Sequence, residues 1–253
     1  MSKSAVRNTR KSKIASEKAP TNTKYIEENS TKLQEKFTPT PAQKTLINKI
    51  RENTLVFCDS EAGTGKTSAT LFEFCREYIA DPYKQIVIVR TPVEIGGDKV
   101  GFLPSTLSDK LAIHFASTRE ILEKFLGKGR VEADLDKRIH FKIPNYMLGS
   151  TIHNSLVLID EAQQLQPMIL KLLLERTGRD SKVVIAGCSN QLYSTGKDRN
   201  ALADAIQRFF VIKDGEYFPR YDGVDYHEFD IEDIQRSEIV KTVIKAYKGV
   251  GGF

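Results

Sequence analysis

Three clusters of residues in this chain have the types and spacing for phosphate chemistry. The first is Ser60-Glu61-Ala62-Gly63-Thr64-Gly65-Lys66-Thr67, which follows the apolar run Leu55-Val56-Phe57-Cys58. Gly63 and Gly65 let the backbone reach dihedrals and approach distances that a Cβ would block. The loop's N–H groups and the positive end of the helix that follows then face an anion together. Lys66 would reach the β- and γ-phosphates of a nucleotide, and Thr67 would place its hydroxyl on Mg²⁺. One letter departs from the usual pattern: Ser60 stands where the first glycine is expected, and serine makes that turn in a narrower set of dihedrals. The second cluster is Asp160-Glu161, closing the apolar run Leu156-Val157-Leu158-Ile159. An acid at the carboxyl end of a buried strand can hold the Mg²⁺ shell, the role read for Asp160. Glu161, one residue on, is placed to orient and polarise a water that attacks the γ-phosphate. The third cluster is Gly187-Cys188-Ser189-Asn190-Gln191, in which Gln191 reads either as a sensor of the γ-phosphate or water, or as a plain polar loop residue. In isolation these are a glycine-rich turn, a solvated acid pair and a polar loop; their succession along one chain reads as nucleotide binding.

The elements needed to position these clusters are visible in the hydrophobic pattern. Thr38-Pro39-Thr40-Pro41-Ala42-Gln43 introduces a helix to about Glu52, with Thr40 as cap and Pro41 in the first turn. Gln43 has two readings, closure of a capping box with Thr40 or an amide that pairs with an adenine edge. Strands are expected over 54–59, 85–90, 156–160 and 182–187, and helices over 66–80, 105–126, 167–177, 199–210 and 231–247. Residues 127–152 are the least readable; Ile139–Ile143 alternates as a short strand would. Two short runs about Asp222-Gly223 suggest a hairpin. Continuous apolar strands alternating with helices predict an α/β fold, a parallel sheet covered on both faces.

The 253 residues have room for one large domain or two small ones. Charge is concentrated at the start: residues 1–20 carry six lysines and arginines against Glu17, an excess of +5 that equals the net charge of the whole chain. This segment, 1–24, is too poor in large apolar residues to build a core and is expected to be a disordered basic tail. It would attract phosphate backbones without reading sequence, or simply be solvated. An organelle-targeting role fits its composition but lacks a clear apolar face. Cys58, Cys75 and Cys188 form no CxxC pair and read as small core residues of a reducing compartment. No apolar run is long enough to span a membrane and no secretory signal opens the chain, so a cytoplasmic protein is expected.

Thr38–Gln43, Glu61–Thr67, Arg90-Thr91-Pro92-Val93-Glu94 with Gly101-Phe102-Leu103-Pro104, Tyr146-Met147, Asp160-Glu161-Ala162-Gln163 and Gly187–Gln191 occur in this order. Together they resemble the PhoH-like family of ATPases, whose core is similar to the first motor domain of superfamily 1 helicases. The resemblance covers residues 38–247 as a single P-loop domain, with 248–253 as a flexible end. It implies a RecA-like P-loop NTPase sheet sandwiched by helices. It further implies that Gln43 contacts adenine, that Ser60, Glu61, Ala62, Gly63, Thr64, Gly65, Lys66 and Thr67 bind ATP, and that Thr67 and Asp160 hold Mg²⁺. Lys66, Asp160, Glu161 and Gln191 would act in hydrolysis. Asp233-Ile234-Gln235-Arg236 resembles a family segment with an arginine, so Arg236 reads as a charge-stabilising finger on a neighbour's nucleotide, or as an exposed helix residue. Besides Ser60, two departures stand out. Cys188 replaces an acid, and Leu148-Gly149-Ser150 follows Tyr146-Met147 where the family has Arg-Gly-Arg.

A chain with one motor domain implies that copies meet around ATP, and the resemblance implies a homo-oligomer in the form of a hexameric ring, with RNA or single-stranded DNA as partner. The expected function is a Mg²⁺-dependent ATPase coupled to binding or unwinding of that nucleic acid. The alternative is a nucleotide-switched oligomeric binding module with little turnover, and a small-molecule kinase is a weaker third reading.

Overall fold

The computed structural model describes residues 32–91, 107–147, 149, 151–191 and 200–249, with side chains at 107–112 and 247–249 left aside. The basic tail, the Pro92–Pro104 stretch, Leu148, Ser150 and the last four residues lie outside the described residues. The elements are α1 (Pro41–Glu52), β1 (Leu55–Asp59), α2 (Lys66–Ala80), β2 (Gln85–Arg90), α3 (Leu107–Leu126), α4 (Lys128–Asp134) and β3 (Ile139–Lys142). They continue as β4 (Ser155–Asp160), α5 (Pro167–Leu174), β5 (Lys182–Gly187), α6 (Ala201–Phe209), β6 (Phe210–Lys213), β7 (Glu216–Pro219), β8 (Val224–Glu228) and α7 (Glu238–Gly249).

Six strands form one sheet in the order β3-β2-β4-β5-β1-β8, and every neighbouring pair is parallel. Side chains alternate across a strand, so each strand serves two cores. Val56, Cys58, Ile86, Ile88, Leu156, Leu158 and Val184 meet α1 to α4 through Leu46, Ile50, Phe74, Leu122 and Val131. Phe57, Val87, Val157, Ile159, Val183 and Ile185 meet α5 and α6 through Leu170, Leu173, Leu202 and Ile206. Burial on both faces is why these strands are uninterrupted β-branched runs. The α/β P-loop sheet expected from the sequence is the fold of the chain.

Two local expectations are corrected. The hairpin turns at Asp214-Gly215, joining β6 to β7, not at Asp222-Gly223. A two-residue hairpin turn of this kind needs positive φ at both positions, and Asp214 (52°) with Gly215 (82°) supply it. Gly223 (φ 73°) instead lies at the entrance to β8. Its carbonyl accepts from Thr54 and Leu55 N–H (2.9 and 3.0 Å), which feeds Val224 into the sheet alongside β1. The final helix begins at Glu238, since Asp230 and Asp233 close a capping box around a single 3₁₀ turn, Ile231–Asp233. Within 127–152, α4 accompanies the short β3 that the alternation indicated.

All six strands of the large sheet point the same way, so their carboxyl ends share one edge. β5 lies between β1 and β4, which puts the loop after β5 between the P-loop and the Asp160-Glu161 pair.

Candidate functional site

The P-loop leaves β1 at Asp59 and returns into α2 through two glycines in the left-handed region, Gly63 (φ 93°) and Gly65 (φ 81°). Gly65 is required twice over, because an added Cβ would also stand 2.4 Å from Gln43 Nε2. That amide donates to the Thr64 carbonyl at 2.9 Å, tying α1 to the loop. Its oxygen accepts from Thr40 N–H (3.1 Å), so the capping box is formed and both ends of Gln43 are engaged within the protein. Ser60 keeps a negative φ, and its N–H donates to the Gly187 carbonyl at 2.9 Å. Its hydroxyl lies 2.9 Å from that of Thr64, so the serine is accommodated and adds a bond across the loop. Lys66 is buried, with Nζ 3.3 Å from the Ser60 carbonyl and 3.5 Å from that of Glu61. Such long contacts are weak, and the ammonium is free to exchange them for a better acceptor.

Asp160 and Glu161 follow β4 at the same edge. Asp160 is 4% exposed, and its Oδ1 is buried without a partner among the described residues. Burial, and then the neighbouring Glu161 charge, push its carboxyl above the usual range, while Arg90 and Lys66 pull it back. β1 and β4 flank β5 in a parallel sheet, so the P-loop and this carboxyl lie at the same sheet edge. Glu161 adopts the left-handed conformation (φ 55°, ψ 44°), a strained geometry for a residue with a Cβ and one that collects at functional sites.

Two side chains that hold this pair had no role assigned from sequence. Arg90, at the end of β2 and in register with Asp160, lies 3.9 Å from Asp160 Oδ2 and 3.7 Å from Glu161 Oε1. Gln163 is buried, and its Nε2 donates to Glu161 Oε2 at 2.7 Å and to Gln191 Oε1 at 3.3 Å. Its Oε1 accepts from Cys188 N–H at 3.1 Å, so one amide links the ends of β4 and β5. Gln191 Nε2 in turn donates to Glu61 Oε2 at 3.2 Å, completing a path from the P-loop to Glu161. The signal for Gln163 was its place two residues after the acid pair; strand order was needed to show what it reaches.

The loop after β5 is held from two sides. Buried Asn200 caps α6 and directs Nδ2 at the carbonyls of Cys188, Ser189 and Gln191, each 3.0 Å away. Asp59 Oδ1 accepts from Ser189 N–H at 2.9 Å, and Tyr226 of β8 donates to Asp59 Oδ2 at 3.3 Å. Cys188 does not stand in for an acid here: burial pushes its thiol up to about 12, so it stays neutral. All three cysteines are buried and free. Arg236 lies over the P-loop of its own chain, against Gly63.

These residues fit a magnesium ion. Mg²⁺ takes one or two carboxylates together with hydroxyl, water and phosphate oxygens. Asp160 Oδ1, unpartnered among the described residues, and Thr67 at the start of α2 would supply the protein's share. No helix among the described residues is long and apolar enough to cross a membrane.

The family described as PhoH-like protein matches residues 37–248. Curated relatives include the PhoH-like protein of Bacillus subtilis, 30% identical over 209 residues that make up 82% of this chain and 62% of the relative. Protein PhoH of Escherichia coli is 28% identical over 209 residues, 81% of this chain and 56% of its own length. This chain therefore spans less than two thirds of the relatives it matches. Solved structures overlap it loosely. The Pif1 helicase from Candida albicans gives a TM-score of 0.39 at 14% identity, over 77% of this chain and 40% of that one. A SWI2/SNF2 ATPase core from Sulfolobus solfataricus gives 0.40 at 16%, over 61% and 33%. Overlaps of that size do not bear on function. The family match takes in the P-loop, the strand ends with their acid pair and the segment around Arg236, and on it this chain belongs to the PhoH-like protein family.

Proposed function

We propose that this protein is a Mg²⁺-dependent ATPase whose hydrolysis is coupled to RNA or single-stranded DNA. The observation that carries the reading is one shared sheet edge that gathers the P-loop with Lys66 and the Asp160-Glu161 pair, where a buried Asp160 oxygen has no partner among the described residues. Backbone N–H groups from Ala62 to Thr67 would cradle the phosphates, with Lys66 neutralising the β- and γ-phosphate oxygens. Thr67 and Asp160 would hold Mg²⁺, which when bound offsets charge on the phosphates. Glu161 accepts a proton from a water whose oxygen bonds to the γ-phosphorus as the bridging P–O bond to ADP breaks; ADP and phosphate leave. Gln163 holds Glu161 in place for that transfer, and Gln191 links it to Glu61 in the P-loop.

The nucleic-acid part of the proposal is supported by the basic segment at residues 1–20. Neutralised phosphates release counterions, so such binding should weaken steeply with salt. A ring of copies would multiply the effect by presenting several basic segments together. A second reading, a nucleotide-switched binding module with little turnover, is favoured by Arg90, which sits within 4 Å of both carboxylates.

The test is ATP affinity and hydrolysis with and without Mg²⁺ and single-stranded RNA. The proposal expects RNA-stimulated turnover, loss of binding in Lys66→Ala, and retained binding with little turnover in Glu161→Gln. Tight ATP binding by the unaltered protein with negligible turnover would select the switch instead. No affinity for adenine nucleotides would end both.

A further inference from the structure

The 3₁₀ turn at Ile231–Asp233 and helix α7 are joined by Ile234-Gln235-Arg236-Ser237, and this connection is laid across the P-loop. Ile234 is buried. The N–H of Gln235 donates to the Gly63 carbonyl at 2.9 Å. The stem of Arg236 then lies flat on Gly63: a Cβ built there would stand 2.9 Å from Arg236 Cγ and Cδ and 3.1 Å from Nε. Beyond the arginine, Ile239, Val240, Val243 and Ile244 of α7 border a cavity of about 230 Å³ whose other wall is Glu61, Ala62 and Gln191. The segment is thus tied to its own P-loop at Gln235 and Arg236, with an open cavity between the loop and α7. Among the described residues, the guanidinium has no hydrogen-bond or ion-pair partner.

We infer that Arg236 works in cis, its guanidinium contacting the phosphates of the nucleotide held by the same chain's P-loop. The inference rests on the nucleotide reading above and gives the arginine a different target from the neighbour's site expected on sequence. Gly63 sits in the loop whose N–H groups meet the phosphates. A cation laid on it with Nε toward the loop adds a second positive charge to that of Lys66, with a forked donor suited to phosphate oxygens. An arginine supplied from the same chain can stabilise the transition-state charge as one from a partner does. Delivery to a neighbour's nucleotide would require the Gln235–Gly63 bond to break and the arginine to leave Gly63 first.

The test uses the full chain and reads ATP turnover, and ATP and ADP affinities, for the unaltered protein, Arg236→Gln and Arg236→Lys. Glutamine keeps a Cγ and Cδ to pack on Gly63 and removes the charged guanidinium fork. Arg236→Gln should lose turnover by about 10³-fold and bind ATP no more tightly than ADP, while Arg236→Lys recovers part of both. Mixing Arg236→Gln with Lys66→Ala subunits separates cis from trans action. In cis, each subunit lacks one element of its own site, and mixing restores nothing. Recovered turnover in the mixture would overturn the inference in favour of a donor in trans. So would an Arg236→Gln protein as active as the unaltered one, since the contact would then be packing alone. If the unaltered protein neither binds nor hydrolyses ATP, the functional proposal fails first and the inference with it.

Discussion

Replacing Gln163 by methionine removes an amide and keeps nearly the same length and volume, so packing in the buried site is disturbed little. Three contacts are lost at once, the weakest being the long donation to Gln191 Oε1 at 3.3 Å. The donation from Nε2 to Glu161 Oε2, at 2.7 Å, is a charge-assisted bond worth about 1.5–3 kcal/mol. The Cys188 N–H, which donates to Oε1 at 3.1 Å, is left without its acceptor in a buried site, at about 1–3 kcal/mol. Some of this is recovered as Glu161 turns toward solvent, and a net destabilisation of about 2–4 kcal/mol is expected. The effect on chemistry is separable from the effect on folding. Glu161 would keep its charge but lose its fixed direction, and a misplacement of about 1 Å costs on the order of 10²-fold in rate. Single-turnover ATP hydrolysis should therefore slow by about 10–100-fold, with ATP affinity unchanged because the P-loop is untouched. Gly187→Ala approaches the same contact from behind, since its Cβ would stand 2.4 Å from Gln163 Oε1 and 3.2 Å from the Ala162 nitrogen. It should show the same split between turnover and affinity. A Gln163→Met protein that unfolds more readily yet turns over ATP at the original rate would refute the idea that this amide aims Glu161.

Gly65→Ala should destabilise by about 2 kcal/mol from its left-handed backbone alone. It should also weaken nucleotide binding, because the new methyl displaces the Gln43 amide from Thr64; urea unfolding with ATP titration checks both. His227 is buried, packs edge-on against Phe229 and is held well below its ordinary value of 6.5, at about 4, first by burial and then by the Lys49 charge. A histidine kept neutral when folded but free to protonate when unfolded contributes stability above pH 6.5 that is lost as the pH falls toward 4. His227→Phe should remove that acid-side loss, about 2 kcal/mol after allowing for solvent screening. Denaturation midpoints of both proteins across this range would show it, and parallel curves would refute it.

The parts of the molecule legible in the sequence are those where chemistry is local. β1, β2, β4 and β5 are buried on both faces and so appear as unbroken apolar runs, and the P-loop carries its glycines in its own few residues. β8 is hidden in the sequence because it is an edge strand: Val224-Asp225-Tyr226-His227-Glu228 mixes charge with burial, since Asp225 can reach Lys49 while Tyr226 turns inward to Asp59. The place of the hairpin is ambiguous in the sequence because Asp-Gly occurs twice in this region, and only the backbone at Asp214 distinguishes them. Arg90, Gln163 and Asn200 share a different reason. Arg90 reaches Asp160 because β2 lies beside β4, Gln163 reaches Cys188 because β5 lies on the other side of β4, and Asn200 folds back on the loop after β5; no local pattern encodes these approaches. Gln43 was readable as a capping residue from Thr40 alone, whereas its bond to Thr64 needed the packing of α1 against α2.

The insertion of β5 between β1 and β4 has a consequence for how the protein is assembled and monitored. Gln43, Lys66, Arg90, Asp160, Gln191 and Arg236 span most of the chain, so no fragment that stops short of the last strands can hold the complete pocket. Occupancy of that pocket is a report on completion of the entire sheet. A ligand that recognises only the finished arrangement, at about a hundred times its dissociation constant, would shift the folding balance by about 2.7 kcal/mol. Protection of the distant edge strand β3 from hydrogen exchange should then rise along with that of the P-loop.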